Sequence, residues 1–163
     1  MKITHQHRFA ASIDQVVAML QDQDFQRARA ESTGAVSVDA DVDVRSNGAF
    51  TAVARRLVPT GSIPAEMRSF LGKELTITYT EAWEAPDGDE RVGTFAVDVA
   101  GAPGHVAGAV SLRPAGDGTE FLATGDAVAN VPFVGAMIEQ AVARTVERAF
   151  VAELAAADAW LAR

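Results

Sequence analysis

The chain has 163 residues, 48% hydrophobic and 22% charged, with a formal net charge of −8 and no cysteine. That size and apolar content suit a single domain with a sizeable core, expected to span residues 1–163. The acidic balance repels phosphate backbones and anionic lipid surfaces, the lack of thiols excludes disulfides and thiolate metal sites, and no apolar run reaches the roughly 18 residues of a spanning helix. Met1 to Phe9 carry no signal-peptide core, so the expected setting is cytoplasmic, without nucleic-acid binding or membrane insertion. The sequence leaves the oligomeric state open.

Residues Lys2 to Phe9 alternate as a strand, with Ile3, His5, His7 and Phe9 on one face. Ser12, with Gln15 three positions later, predicts a capped helix whose stripe is Ile13, Val16, Val17 and Leu20. Asp22 or Asp24 caps a second short helix through Phe25 to about Ala30, ended by Ser32, Thr33 and Gly34. From Ala35 the period becomes two: Val36, Val38, Ala40, Val42 and Val44 alternate with Ser37, Asp39, Asp41, Asp43 and Arg45.

Asn47-Gly48 signals a hairpin with a two-residue type I′ turn. That turn places Val42 opposite Val53, Val38 opposite Leu57 and Asp39 opposite Arg56, and it sends Arg55 inward and Phe50 outward. The connection from Val58 to Gly72 is too long for a hairpin; Pro64 at a first turn and Gly72 at an end predict a short helix carrying Met67, Phe70 and Leu71. In the next strand, Glu74 to Glu84, Leu75, Ile77, Tyr79, Glu81 and Trp83 share the inner face. Strands over Val92–Val99, about 105–112 and 119–129 follow, the last with small inner residues Ala123, Gly125 and Ala127.

A long amphipathic helix closes the chain, expected from Asn130 as its cap and Pro132 in its first turn. Val134, Ile138, Val142, Val146, Phe150 and Leu154 form its stripe, flanked by Met137, Ala141, Thr145 and Ala149. Glu153 falls within the stripe and is expected to mark the end of the covered region. Small residues facing small residues predict either close backbone approach or a hollow. The order of strand, two short helices, six strands and one long helix predicts an α+β helix-grip fold, its antiparallel sheet wrapped around the C-terminal helix.

The stretches Asp117-Gly118-Thr119-Glu120-Phe121 and Val131-Pro132-Phe133-Val134-Gly135, in this order of elements, resemble the START-like superfamily, which holds the birch-pollen-allergen, polyketide cyclase and lipid-transfer branches. Pro64, Glu81 with Trp83, Pro103 and the run ending Ile138-Glu139 resemble an uncharacterised bacterial branch of it, a domain of unknown function. The resemblance implies a cavity between sheet and helix for a hydrophobic small molecule, lipid or polyketide-like. It does not imply catalysis, because carriers, sensors and enzymes share the fold.

The expected lining is Ile77, Tyr79, Phe95, Val97, Val134, Met137, Ile138, Ala141 and Val142, with Met67 and Phe70 as a lid and Glu81 and Arg55 setting ligand polarity. Glu81 and Arg55 are the two charges that the strand pattern sends inward. They either pair and orient a ligand, or sit partly solvated near strand ends. An alternative reading is a cyclase or dehydratase with Glu81 as base beside Tyr79 or Arg55. A third is a protein-interaction module using Asp39, Asp41 and Asp43. His5 and His7 lack a third ligand at a diagnostic spacing, so they are expected at a rim, His105 is expected in solvent, and no metal or cofactor is expected.

Overall fold

The computed structural model describes residues 1–62, 65–68, 71 and 73–163, with the main chain alone at 62, 66 and 67. Of the expected crossover features, Pro64, Phe70, Gly72 and the Met67 side chain lie outside the described residues.

Strand β1 (Lys2–Phe9) leads into α1 (Ile13–Leu20) and α2 (Gln23–Glu31). The Ser12 hydroxyl accepts from the Gln15 amide at 3.3 Å, and the Gln15 side chain accepts from the Ser12 amide at 3.0 Å, which closes the predicted capping box. Asp22 caps α2 by accepting from the amides of Asp24 and Phe25. The chain then runs through β2 (Ser37–Val44), β3 (Phe50–Pro59), a 3₁₀ turn (Thr60–Ser62) and the short α3 (Ala65–Arg68). It continues as β4 (Glu74–Trp83), β5 (Arg91–Val99), β6 (Gly104–Ala115) and β7 (Gly118–Ala129), and ends in α4 (Gly135–Leu161).

The seven strands form one antiparallel sheet in the order β1-β7-β6-β5-β4-β3-β2, so α1 and α2 carry the chain from one edge to the other. The 27-residue α4 spans about 40 Å and packs on β7, β1, α2 and α1. This is the predicted helix-grip arrangement. The core is aromatic at its centre. Phe95 lies over Gly108 and Gly125, where a Cβ would meet its ring at 2.8 and 3.0 Å, and Phe150 of α4 meets Phe95 edge-on with centroids 5.7 Å apart.

The β2–β3 hairpin departs from the expected register by one residue. The Gly48 amide donates to the Arg45 carbonyl, the Arg45 amide to Ala49, and Gly48 has φ +89°, so Ser46, Asn47 and Gly48 form a three-residue loop. Val42 therefore faces Ala52, Asp39 faces Arg55 and Val38 faces Arg56. Because side chains alternate, the slip reverses all of β3: Phe50, Ala52, Ala54, Arg56 and Val58 are buried, and Arg55 points outward. Phe50 stacks on Trp83 at 6.1 Å.

The start of α4 is the second correction. The helix begins at Gly135, not beside Asn130, whose amide extends the β6–β7 ladder by donating to the Pro103 carbonyl. Between them Phe133 adopts φ +68° with its ring fully exposed, and Val134 stands at the cap with no side-chain hydrogen bond. Glu139, a turn into the helix, accepts from the Ala129 amide and ties α4 to the end of β7.

Candidate functional site

Where Val142, Thr145 and Ala149 of α4 face the sheet, side chains do not fill the gap. A cavity of about 290 Å³ remains, walled by Val58 of β3, Leu75 and Ile77 of β4, Val97 and Val99 of β5, Val106 of β6, Ala127 of β7 and Ile138 of α4. The lining is mainly aliphatic, and the volume lies just under the roughly 300–1,000 Å³ of small-molecule sites. The polar part of the wall comes from Ser32 and Thr33 at the end of α2, Arg56 of β3, His105 of β6, and Glu139, Thr145 and the exposed Arg148 of α4.

One buried cation reaches this wall. Arg56 is 6% exposed, and its Nη1 donates to Glu153 Oε1 at 2.8 Å and to Thr33 Oγ1 at 3.1 Å. Glu153 Oε2 in turn accepts from Arg29 Nε at 2.9 Å. Arg29 Nη2 donates to Glu81 Oε1 at 2.8 Å and to the Tyr79 hydroxyl at 3.1 Å. The Tyr79 hydroxyl donates to Glu81 Oε1, and Trp83 Nε1 donates to Glu81 Oε2 at 3.0 Å. Two guanidinium groups and two carboxylates thus interlock behind the cavity, brought there by α2, β3, β4 and α4. Arg29 also lies over the Tyr79 ring at 4.8 Å.

Electrostatics lock these protonation states. Burial alone raises the Glu81 carboxyl, but the charge of Arg29 and the hydrogen bonds from Arg29, Tyr79 and Trp83 outweigh it and hold Glu81 below its ordinary value of 4.5. Burial lowers the Arg29 guanidinium, yet Glu81, Tyr79 and Glu153 more than restore it. Burial and the adjacent Glu81 charge push the Tyr79 phenol well up, so it remains a donor. An ionised carboxylate with both oxygens occupied and a depressed pKa is a poor general base. The cluster is suited to holding a fixed dipolar wall.

Of the residues expected to line a site, Ile77, Val97, Ile138 and Val142 border the cavity. Tyr79 and Glu81 stand in the ionic cluster, and Phe95 lies among the packed aromatics. Ala141 is fully buried against Leu75, to one side of the hollow, while Val134 precedes α4 and Met137 is 47% exposed. Arg55 is the clear correction: it lies on the outer face, 58% exposed and 3.8 Å from Asp39. Its expected inward place belongs to Arg56.

Sequence reasoning passed over Arg29, set Arg56 in water opposite Asp39, although it is 6% exposed, and took Glu153 for a helix end, although it is 4% exposed. The signal for Arg29 was present, since it falls on the face of α2 that buries Phe25, Gln26 and Ala30. Two acidic residues on buried faces, Glu81 and Glu153, also demand buried cations. His5 stacks on Phe150 at 5.5 Å, and His7 Nε2 lies 3.0 Å from Asp158 Oδ1. His105 is exposed. Among the described residues no group of three or more His, Asp or Glu side chains is placed to hold a metal ion, and no helix is long and apolar enough to cross a membrane.

This architecture has counterparts among known proteins. A family described as "Protein of unknown function (DUF2505)" matches residues 4–161. No curated protein matches in sequence. Among solved structures, TTHA0849 from Thermus thermophilus is similar at a TM-score of 0.64 and 13% identity, over 99% of this chain and 97% of that one. A START superfamily protein from Mycobacterium smegmatis aligns at a TM-score of 0.53 and 16% identity, over 98% and 96%. A STAR-related lipid transfer protein fragment from Xanthomonas axonopodis aligns at 0.56 and 18%, over 99% and 86%. At these identities the likeness establishes the START-like fold.

Proposed function

The chain belongs to the DUF2505 family, and we propose that it binds a hydrophobic small molecule, lipid or polyketide-like, between α4 and the sheet as a carrier or sensor. The observation that carries this reading is the 290 Å³ aliphatic cavity, whose wall includes one buried guanidinium. An unfilled apolar hollow forfeits dispersion contacts on every side chain that lines it, so an apolar occupant recovers both those contacts and its own hydration cost. The lipid-transfer name of the Xanthomonas protein of similar fold points the same way. A carrier or sensor fits better than a cyclase or dehydratase, because Glu81 is saturated by donors and held ionised.

Native mass spectrometry of the purified protein, with extraction of whatever denaturation releases, tests the proposal. The expected result is a bound apolar molecule that is lost when Ala149→Trp fills the hollow, while the circular dichroism of the variant stays that of the parent. Ala149 suits the test because it borders the cavity and is only half-buried. Undiminished binding in a folded Ala149→Trp variant places the ligand elsewhere and defeats the reading.

A further inference from the structure

The ionic cluster is complete in charge and incomplete in hydrogen bonds. Arg29 and Arg56 carry two positive charges, Glu81 and Glu153 two negative ones, and all four side chains are no more than 7% exposed. The sum is zero. Yet Arg56 donates only through Nη1; among the described residues nothing accepts from its Nη2 or its Nε, and Nε, like Arg29 Nη1, is sealed inside the protein. Nη2 is the unpartnered nitrogen that is not sealed in, the donor an occupant of the cavity can meet; covering an N–H without an acceptor costs about 1–3 kcal/mol, so the wall of the cavity lacks an acceptor and does not lack a charge.

Resting on the binding reading above, we infer that the ligand presents an uncharged acceptor, a ketone, ester or hydroxyl oxygen, to Arg56, and that Arg56 selects it over the carboxylate of the same chain length. A neutral oxygen accepts from Arg56 and leaves the buried charges balanced. A carboxylate at the same place makes the cluster net negative and lies beside Glu153, which already shares Arg56. The other charged side chains of the lining lie outside the cluster: Arg148 is exposed on α4, where water screens it, and Glu139 pairs with the Met1 ammonium at 3.3 Å.

Displacement of the neutral fluorophore N-phenyl-1-naphthylamine by decane, 2-decanone and decanoate at pH 7.5 provides the test. The ketone is expected to displace the probe at a concentration at least about tenfold below that of decanoate, since the carboxylate must shed its hydration next to a balanced cluster. It should also compete better than decane. In Arg56→Met the advantage of ketone over decane should disappear while decane itself still competes. The wild-type series decides the matter even where that variant fails to fold. Decanoate competing as well as 2-decanone, or 2-decanone no better than decane, overturns the inference and leaves the binding reading standing. Failure of the probe and all three competitors to bind removes the reading beneath it.

Discussion

One or two turns of α4 separate a filled space from an empty one. Phe150 and Glu153 meet Phe95, Arg29 and Arg56 and leave almost nothing open, whereas Val142, Thr145 and Ala149 meet Val97, Val106 and Ala127 and leave about 290 Å³. Aromatic rings meet in the first stretch, and valine, threonine and alanine line the second, so side-chain volume differs where the outcome differs. Two glycines, Gly108 and Gly125, make room for the Phe95 ring, and no ring occupies the room beside Ala127. A hollow in a fold of this kind is a local shortage of large side chains under a helix braced elsewhere.

The bracing is where the largest effect is expected. Glu153 is the one carboxylate that both buried arginines share, and it fastens α4 to α2 and β3 at once. Glu153→Gln leaves Arg56 without an anionic partner and should cost about 3–5 kcal/mol in urea unfolding. A loss below about 1 kcal/mol would show the cluster to be solvated and would break the contrast with the hollow. The pH dependence follows from Glu81, whose folded pKa lies below its ordinary value of 4.5. Its contribution is therefore complete above that value and is lost as pH falls below 4.5 through the folded pKa. Glu81→Gln should flatten this part of the acid limb.

A smaller effect comes from truncating the same residue type at each end. Val110 is 2% exposed within the packed part of the core, while Val142 borders the hollow. Val110→Ala removes two methyl groups and opens a new void, at an expected cost of about 2 kcal/mol. Val142→Ala merely enlarges a space that exists, so the expected cost is under about 1 kcal/mol. Equal losses would mean that α4 collapses onto the sheet in solution and that no cavity persists.

How legible each region was in the sequence follows from how strongly the residues specify it. In β4 the alternation of Leu75, Ile77, Tyr79 and Trp83 with threonines leaves one orientation, and Glu81 inherits it. In β3 both faces carry apolar residues, Phe50, Ala52, Ala54 and Val58 against Val53 and Leu57, so the pattern alone does not choose between them. The choice fell to the turn, where Asn47-Gly48 supports either a two-residue loop or the observed three-residue one with Gly48 at positive φ. The cavity was half legible: small residues left close approach or a hollow open, and both occur, since the Phe95 ring fills the space at Gly125 while Ala127 and Ala149 border the hollow; which happens where depends on the three-dimensional packing of Phe95 and Phe150. The α4 start was misread because Asn130 and Pro132 have the chemistry of a cap while the Asn130 amide extends the β6–β7 ladder to Pro103.

The smallest expected effect is also the sharpest test of that register. Arg55 and Arg56 are neighbours of one chemistry, and a one-residue slip exchanges their places. In the observed pairing Arg55 stands on the solvent face, opposite Asp39 at 3.8 Å, with both side chains largely exposed. Such pairs contribute about 0–1 kcal/mol, because water screens them and two long side chains must be ordered. Arg55→Met should therefore change urea stability by no more than about 0.5 kcal/mol and leave probe binding in the cavity unaltered. Under the alternative pairing Arg55 would face Ala40 inside, and removing it would strand buried carboxylates at a cost of about 3 kcal/mol or more. A loss of that size would return Arg56 to solvent, detach the guanidinium from the cavity wall, and leave the hollow purely apolar.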